Sequence, residues 1–127
     1  MEYLIDTHVL LWTMFEPDRL SIKAREILLN KNIYKSTSIA SVWEIAIKNR
    51  IGKMPLPTGV SGVFSKIDTL GYGLIEVDQN HVEIYATLPL LHRDPFDGII
   101  IATALVENMT IITVDENIHK YDVPWIW

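Results

Sequence analysis

Four acidic residues stand where apolar segments begin or end, far apart in the 127-residue sequence. Asp6 follows YLI, Asp115 follows TIITV, and Asp97 lies just before IIIATA, while Glu44 is flanked by Trp43 and Ile45. Carboxylates a few ångströms apart repel one another, and a shared proton or divalent cation relieves that repulsion. If these residues, here called the four acids, converge, they form a metal site made of oxygen ligands alone.

The four acids favour magnesium or manganese over zinc. The chain has no cysteine, and its histidines do not have a zinc-ligand spacing. Magnesium and manganese prefer oxygen ligands and support phosphodiester hydrolysis by activating water and polarising a phosphoryl oxygen. The net charge of −5 and the pI near 5.2 argue against attraction to nucleic acid through a broad basic surface. A bound metal would therefore supply the positive charge.

The elements that must position the four acids alternate between strand and helix along the chain. This alternation predicts one α/β domain, residues 1–127, with a mainly parallel central sheet flanked by helices. The helix over 38–50 shows a predicted apolar stripe of Ile39, Val42, Trp43, Ala46 and Ile47. Strands are predicted at 3–5, 33–37, 73–77, 110–114 and 123–127, and helices at 8–15, 21–29, 38–50, 60–70, 78–88, 94–108 and 115–119.

Convergence of the four acids is expected at one edge of this sheet. Asp6 and Asp115 follow the carboxyl ends of the first and fourth strands, where ligands bind in open parallel sheets. Strand-to-helix order brings Glu44 to the same edge. Asp97 reaches that edge only if the N-terminus of its helix points there, which the sequence leaves open.

Each acid also has a purely local explanation. Asp6 and Asp115 could cap the helices that follow them, and Asp94 with Pro95 is a strong N-cap signal, so we favour a structural role for Asp94. Glu44 could form a capping box with Ser41 or an ion pair with Lys48.

Asp97 is harder to explain locally. As a surface residue in the first turn, it would interact favourably with the helix dipole. However, it shares a face with Ile100, Ile101 and Ala104, which puts its carboxylate at the rim of a buried stripe. We therefore favour a metal role for both Glu44 and Asp97.

Other polar and aromatic residues have weaker signals. His8, His92 and Arg93 could contact phosphate, although solvated roles are more common for such residues. Trp12, Phe15, Tyr34 and Trp43 are predicted to lie in the core or in a partner groove rather than to stack on bases.

Four segments in order resemble the PIN-domain ribonucleases, and among them the VapC-type toxins of toxin–antitoxin pairs. They are LIDTHVLLW (4–12), SVWEIAIKNRIGKMPLP (41–57), LLHRDPFDGIIIATA (90–104) and IITVDENIHKY (111–121). The resemblance implies a three-layer PIN-like fold, an RNA substrate and a magnesium or manganese cofactor. It also implies a homodimer and a VapB-like antitoxin whose C-terminal segment occupies a groove beside the active site.

The resemblance also assigns roles to residues. Asp6, Glu44 and Asp97 look like the metal-binding acids, and Asp115 looks like a fourth that often acts through water. Thr7 and Thr113 match positions that orient the acids or the substrate, and Asp94 and Arg93 are weaker candidates for the same role.

One position departs from the family pattern: Gly98 stands where relatives commonly carry arginine. This departure and the acidic pI favour an alternative, a catalytically weak PIN-like module that acts by binding protein or RNA. A DNA or structure-specific nuclease is disfavoured because the chain has no added arch or helical insertion. A cytoplasmic protein without a membrane partner is predicted, because the acidic N-terminus has no signal-peptide pattern, the chain has no long apolar run and it has no cysteine.

Overall fold

The computed structural model describes residues 1–127 and alternates short strands with helices. Strands β1 to β5 are Tyr3–Ile5, Lys35–Ser38, Gly73–Ile75, Thr110–Ile112 and Trp125–Ile126. Helices α1 to α7 are Thr7–Phe15, Ile22–Leu29, Ile39–Arg50, Gly59–Thr69, Gln79–Thr87, Pro95–Glu107 and Glu116–His119, and a 3₁₀ turn covers Pro17–Arg19. None of the helices combines the length and apolar character needed to cross a membrane.

The five strands form one sheet in the order β3-β2-β1-β4-β5, and every pairing is parallel. In the register, Ile5 of β1 lies between Thr37 of β2 and Ile112 of β4. The predicted α/β class is therefore confirmed, with a sheet that is wholly parallel. Because all strands run the same way, the chain leaves β1, β2 and β4 at one edge.

The core lies on both faces of this sheet. Neighbouring residues of a strand point to opposite faces, so Leu4 and Ile111 join one buried cluster while Ile5 and Ile112 join the other. Helices α1, α3 and α4 cover the Ile5 side, and α6 covers the Leu4 side. The apolar run of α6 is buried as predicted, which fixes the helix that carries Asp97.

Most predicted helix starts are confirmed by side-chain caps. Ser21, Asp78 and Asp94 accept hydrogen bonds from the backbone N–H groups of α2, α5 and α6. Ser38 caps α3 in the same way, so the capping box with Ser41, one of the two local alternatives for Glu44, does not form. Strand β1 matches the predicted range, and β3, β4 and β5 end one or two residues earlier than predicted. Strand β2 is displaced, since it begins two residues later and ends one residue later than the expected 33–37.

The predicted apolar stripe of α3 is partly wrong. Trp43 is 63% exposed and Ile47 is also exposed, whereas Ser41 and Glu44 are buried. The reason is that α3 packs against α1, α4 and α6, so its inward face includes polar residues near the site. Phe15 and Tyr34 are also exposed, which removes the core interpretation for them and for Trp43, while Trp12 is partly buried.

Candidate active site

The structure brings the four acids to one edge of the sheet. Asp6 follows β1, Asp115 lies three residues beyond β4, Glu44 is in the second turn of α3, and Asp97 is in the first turn of α6. Asp6, Glu44 and Asp97 are at most 7% exposed, and Asp115 is half-buried. The α6 N-terminus therefore does point at the edge where β1 ends, which the sequence left open.

Their electrostatic interactions confirm this proximity. Burial raises the pKa of Asp97 to about 8, and the neighbouring carboxylates of Asp94, Asp6, Asp115 and Glu44 raise it further in the same direction. Asp97 is thus close enough to each of the other three acids to feel its charge. A carboxyl group in this environment is held in its neutral form near pH 7 unless a cation compensates it.

Asp6 is the most deeply buried of the set and is held by two donors. The backbone N–H of Thr7 donates to Asp6 Oδ1 at 2.7 Å, and the Thr113 hydroxyl donates to Asp6 Oδ2 at 2.8 Å. Burial raises its pKa to about 6, although both hydrogen bonds and the nearby His8 act in the opposite direction. The loss of hydration therefore outweighs the hydrogen bonds at Asp6.

Thr113 links two of the acids. Its hydroxyl donates to Asp6 and accepts the backbone N–H of Asp115 at 3.0 Å. Asp115 in turn uses Oδ1 to cap α7 through the N–H of Asn117 at 2.9 Å. The cap interpretation and the site interpretation of Asp115 are therefore compatible, because its second carboxylate oxygen remains available.

The side chains of Thr7 and Glu44 both make contacts with side chains of α3. The Thr7 hydroxyl donates to Ser41 Oγ at 2.9 Å rather than to an acid, so its side chain joins α1 to α3. Only its backbone N–H contacts Asp6. Glu44 pairs with Lys48 at 3.0 Å, as one of the local explanations predicted. Lys48 consequently places a cation at the edge of an otherwise acidic site.

His92 is a site residue whose contact the sequence did not predict. Its Nε2 lies 3.2 Å from Asp97 Oδ2, and its backbone N–H donates to the hydroxyl of Tyr121. One ligand atom from each of His92, Asp94 and Asp97 lies within 4.8 Å of the others. The sequence signal that could have predicted this contact is the N-cap Asp94, which lies between His92 and Asp97. Asp94 accepts the backbone N–H groups of Phe96 and Asp97.

Arg93 does not join the site. Its side chain is exposed, and it makes no hydrogen bond or ion pair with any of the acids. The structure thus gathers Asp94 and His92 around Asp97 and leaves Arg93 in solvent.

Comparison with known proteins gives the family of the chain. The model of the PIN domain matches residues 3–124. The chain belongs to the PIN domain family. Comparison with the sequences of curated proteins finds no match.

Solved structures share this PIN fold at low identity. A chain of VapBC2 from Rickettsia felis, bound to a promoter DNA fragment, has a TM-score of 0.73 and 18% identity, covering 99% of this chain and 98% of that one. VapBC-1 from nontypeable Haemophilus influenzae gives 0.68 and 20%, covering 99% and 97%. A toxin–antitoxin complex from Klebsiella pneumoniae gives 0.68 and 16%, covering 98% and 96%. These likenesses agree on the fold.

Gly98 has a packing reason in this PIN domain. A Cβ atom at position 98 would lie 2.5 Å from Cε2 of Tyr85, because the tyrosine ring of α5 rests directly on the α6 backbone. Tyr85 therefore occupies the space over residue 98. Glycine at this position allows the Tyr85 ring to contact the α6 backbone, independently of any catalytic role.

The donor set fits a divalent cation. Asp6, Glu44 and Asp97 are buried carboxylates at the same sheet edge, where Asp6 and Glu44 both raise the pKa of Asp97, and the nearby Lys48 pairs with Glu44 alone. Burying unpaired carboxylates is costly, and the raised pKa values of Asp6 and Asp97 report this cost. An oxygen-ligated ion such as Mg²⁺ or Mn²⁺ would offset it.

Proposed function

We propose that this PIN domain is a metal-dependent endoribonuclease that hydrolyses RNA phosphodiester bonds. The observation that carries the proposal is the gathering of the four acids from four segments at one sheet edge, with the pKa of two of them raised by burial. Purely structural carboxylates rarely accumulate in this way, because each buried charge destabilises the fold. The PIN family match supports a nuclease assignment.

In this proposal Asp6, Glu44 and Asp97 hold Mg²⁺ or Mn²⁺, and Asp115 acts on a second ion or through water. When bound, the ion lowers the pKa of the attacking water and neutralises the scissile phosphate.

The chain itself supplies orientation. Thr113 and the N–H of Thr7 fix the Asp6 carboxylate, and the imidazole of His92 lies 3.2 Å from one oxygen of Asp97. Lys48 sits beside Glu44, where its ammonium group can meet a substrate phosphate.

The decisive experiment removes single carboxylates. We expect Asp6→Asn and Asp97→Asn to abolish RNA cleavage in Mg²⁺ or Mn²⁺ while circular dichroism remains unchanged. Asp18→Asn is the matched control, because the Asp18 side chain is fully exposed and lies on the 3₁₀ turn away from the site. Cleavage by the two site variants at the wild-type rate would refute the assignment, and parallel assays with DNA test the choice of RNA.

A binding module without catalysis is the rival function. Its sequence support came from Gly98 and the acidic pI, and the contact between Gly98 and Tyr85 gives that glycine another explanation. Calorimetric titration with Mn²⁺ distinguishes the two: a nuclease binds the ion with an affinity that Asp97→Asn weakens, whereas the rival does not require an ion at these residues.

We also propose that the protein is the toxin of a toxin–antitoxin pair, forms a homodimer and acts in the cytoplasm. The partner proposal is supported by the solved VapBC and toxin–antitoxin complexes that share the fold. The homodimer proposal is supported by an apolar groove of about 510 Å³ between α3, α5 and α6. The apolar groove is lined by Ile39, Ala40, Trp43, Val77, Val82, Tyr85, Pro95, Phe96 and Ile99.

Exposed apolar surface of this kind is typical of protein interfaces. Trp43, which packs its ring edge-on against Phe96, and Val82 are more than half exposed in the isolated chain. We expect Trp43→Asp to convert a dimer to a monomer in light scattering, with Ile22→Asp on the exposed surface of α2 as the control. An unchanged mass for Trp43→Asp would assign the groove to another partner.

A further inference from the structure

A second cavity adjoins the acids and has a different character from the apolar groove. It encloses about 310 Å³ between the C-terminal end of α5, the loop that follows it and the start of α6. We call it the side pocket. Its walls include the rings of Tyr85 and Tyr121, the side chains of Leu88 and Leu90, and the polar groups of His92 and Asp94.

The side pocket is continuous with the candidate catalytic centre. His92 and Asp94 line the pocket and also belong to the cluster around Asp97. An RNA phosphate held at the acids would therefore have its neighbouring nucleoside within reach of the pocket.

The walls have the properties that hold a nucleobase. Recognition of single-stranded RNA relies on aromatic faces for stacking and on a few polar groups for the base edges. Tyr85 lies between the apolar groove and the side pocket and lines both; it is 39% exposed, so part of its ring is available, and the ring rests against Gly98. Asp94 uses only Oδ1 for the helix cap, which leaves Oδ2 to accept from a base N–H. The cavity volume lies within the usual range for small-ligand sites.

From this continuity and chemistry we infer that the side pocket binds the base of a nucleotide next to the scissile phosphate, with Tyr85 as its stacking surface. The inference rests on the proposed ribonuclease function, whose substrate it makes more specific. Gly98 takes part indirectly, because only a residue without Cβ lets the tyrosine ring lie against α6.

Nucleotide titration followed by NMR tests the inference directly. We expect adenosine 5′-monophosphate, added with Mg²⁺, to shift the backbone amide signals of Leu88, Leu90 and Tyr121, which line the side pocket outside the cluster around Asp97. Ribose 5-phosphate carries the same phosphate without a base and should leave these signals unchanged. Equal shifts from both compounds, or shifts confined to other surfaces, would overturn the base-binding role.

Two substitutions provide the quantitative test. Tyr85→Leu removes the ring and should weaken nucleotide binding about tenfold or more, whereas Tyr85→Phe keeps the ring and should bind as the wild type does. Leu90→Asp covers the case in which Tyr85→Leu does not fold, because Leu90 is 98% exposed at the pocket rim. It places a negative charge near the substrate phosphates and should raise the KM for RNA. Leu29→Asp, on exposed α2 surface, is its matched control.

The outcomes separate this inference from the proposed function. Normal RNA cleavage with unchanged KM in both Tyr85→Leu and Leu90→Asp would overturn the base pocket and leave the ribonuclease intact. Base-dependent binding in the pocket without any RNA cleavage would support the pocket while refuting the ribonuclease.

Discussion

Replacing Asp97 by asparagine should make the metal-free protein more stable at neutral pH. The Asp97 carboxyl has its pKa raised from 3.8 to about 8, chiefly by burial. Between these two values the folded chain keeps the proton that the unfolded chain has lost, so unfolding releases a proton. Stability of the metal-free wild type therefore falls as pH rises from about 4 to about 8.

The size of the effect follows from the same interval. The interval from the ordinary pKa of 3.8 to pH 7 is about 3 pH units. At about 1.4 kcal/mol per unit, burial of the Asp97 carboxyl lowers the stability of the metal-free protein at pH 7 by at most about 4 kcal/mol. Asparagine has no ionisation to suppress and is nearly isosteric, so Asp97→Asn should recover part of this amount. Each kcal/mol corresponds to roughly 4 °C in Tm for a domain of this size.

The assay is thermal unfolding in EDTA at pH 5, 6, 7 and 8. Asp97→Asn should flatten the decline between pH 6 and 8, while the decline below pH 6 should remain because burial also raises the pKa of Asp6 to about 6. Asp18→Asn should follow the wild type, since Asp18 is fully exposed. A wild-type Tm that is flat from pH 5 to 8, with a less stable Asp97→Asn variant, would refute the burial argument.

The same measurement with Mn²⁺ tests the metal. A ligand that binds only the folded state stabilises it by about 2.7 kcal/mol at a hundred times its Kd. Mn²⁺ should therefore raise the Tm of the wild type, most strongly above pH 7, and should have little effect on Asp97→Asn. Equal stabilisation of both proteins would place the ion elsewhere.

Three further substitutions test the supporting contacts. Gly98→Ala should cost about 1 to 3 kcal/mol, since the new Cβ meets the Tyr85 ring at 2.5 Å, and adding Tyr85→Ala should recover part of this loss in urea unfolding. Thr113→Val should lower Tm and RNA cleavage because Asp6 Oδ2 and the Asp115 N–H lose their partner, with Thr113→Ser as the active control. Lys35→Met should cost about 1 to 3 kcal/mol in the same unfolding assay, because buried Lys35 donates to the carbonyls of Ile27 and Asn30 where α2 ends. A wild-type midpoint for any of these variants would contradict the corresponding contact.

Local sequence signals were sufficient for most elements and for three of the four acids. Asp6 and Asp115 could be placed because a strand end followed by a helix cap is readable within a few residues. Glu44 followed from strand-to-helix order. Asp97 could not be placed in this way, because the chain reaches α6 through a loop, and only packing of Ile100 and Ile101 on the sheet fixes where its N-terminus points.

The second strand shows why local patterns failed elsewhere. Lys35–Ser38 is polar throughout, yet all four residues are buried because β2 lies inside the sheet between β1 and β3. Burial is a tertiary property that composition does not reveal. The same holds for α3, where the neighbouring helices bury Ser41 and Glu44 and leave Trp43 exposed. The contact of His92 with Asp97 was not predicted for a related reason, because the bend at Asp94 brings these two residues together.

Gly98 illustrates how a family comparison and a structure can lead to different conclusions about one residue. The missing arginine suggested a weakened site, because a cation near the acids would be lost. The structure places the ring of Tyr85 against the backbone at this position, where any Cβ atom would displace that ring. The α5 and α6 helices make the most extensive helix contact in the chain, and the contact of Tyr85 with Gly98 is part of it. Glycine at 98 thus lets the ring of Tyr85 lie against α6, so the residue that departs from the family pattern has a packing role of its own.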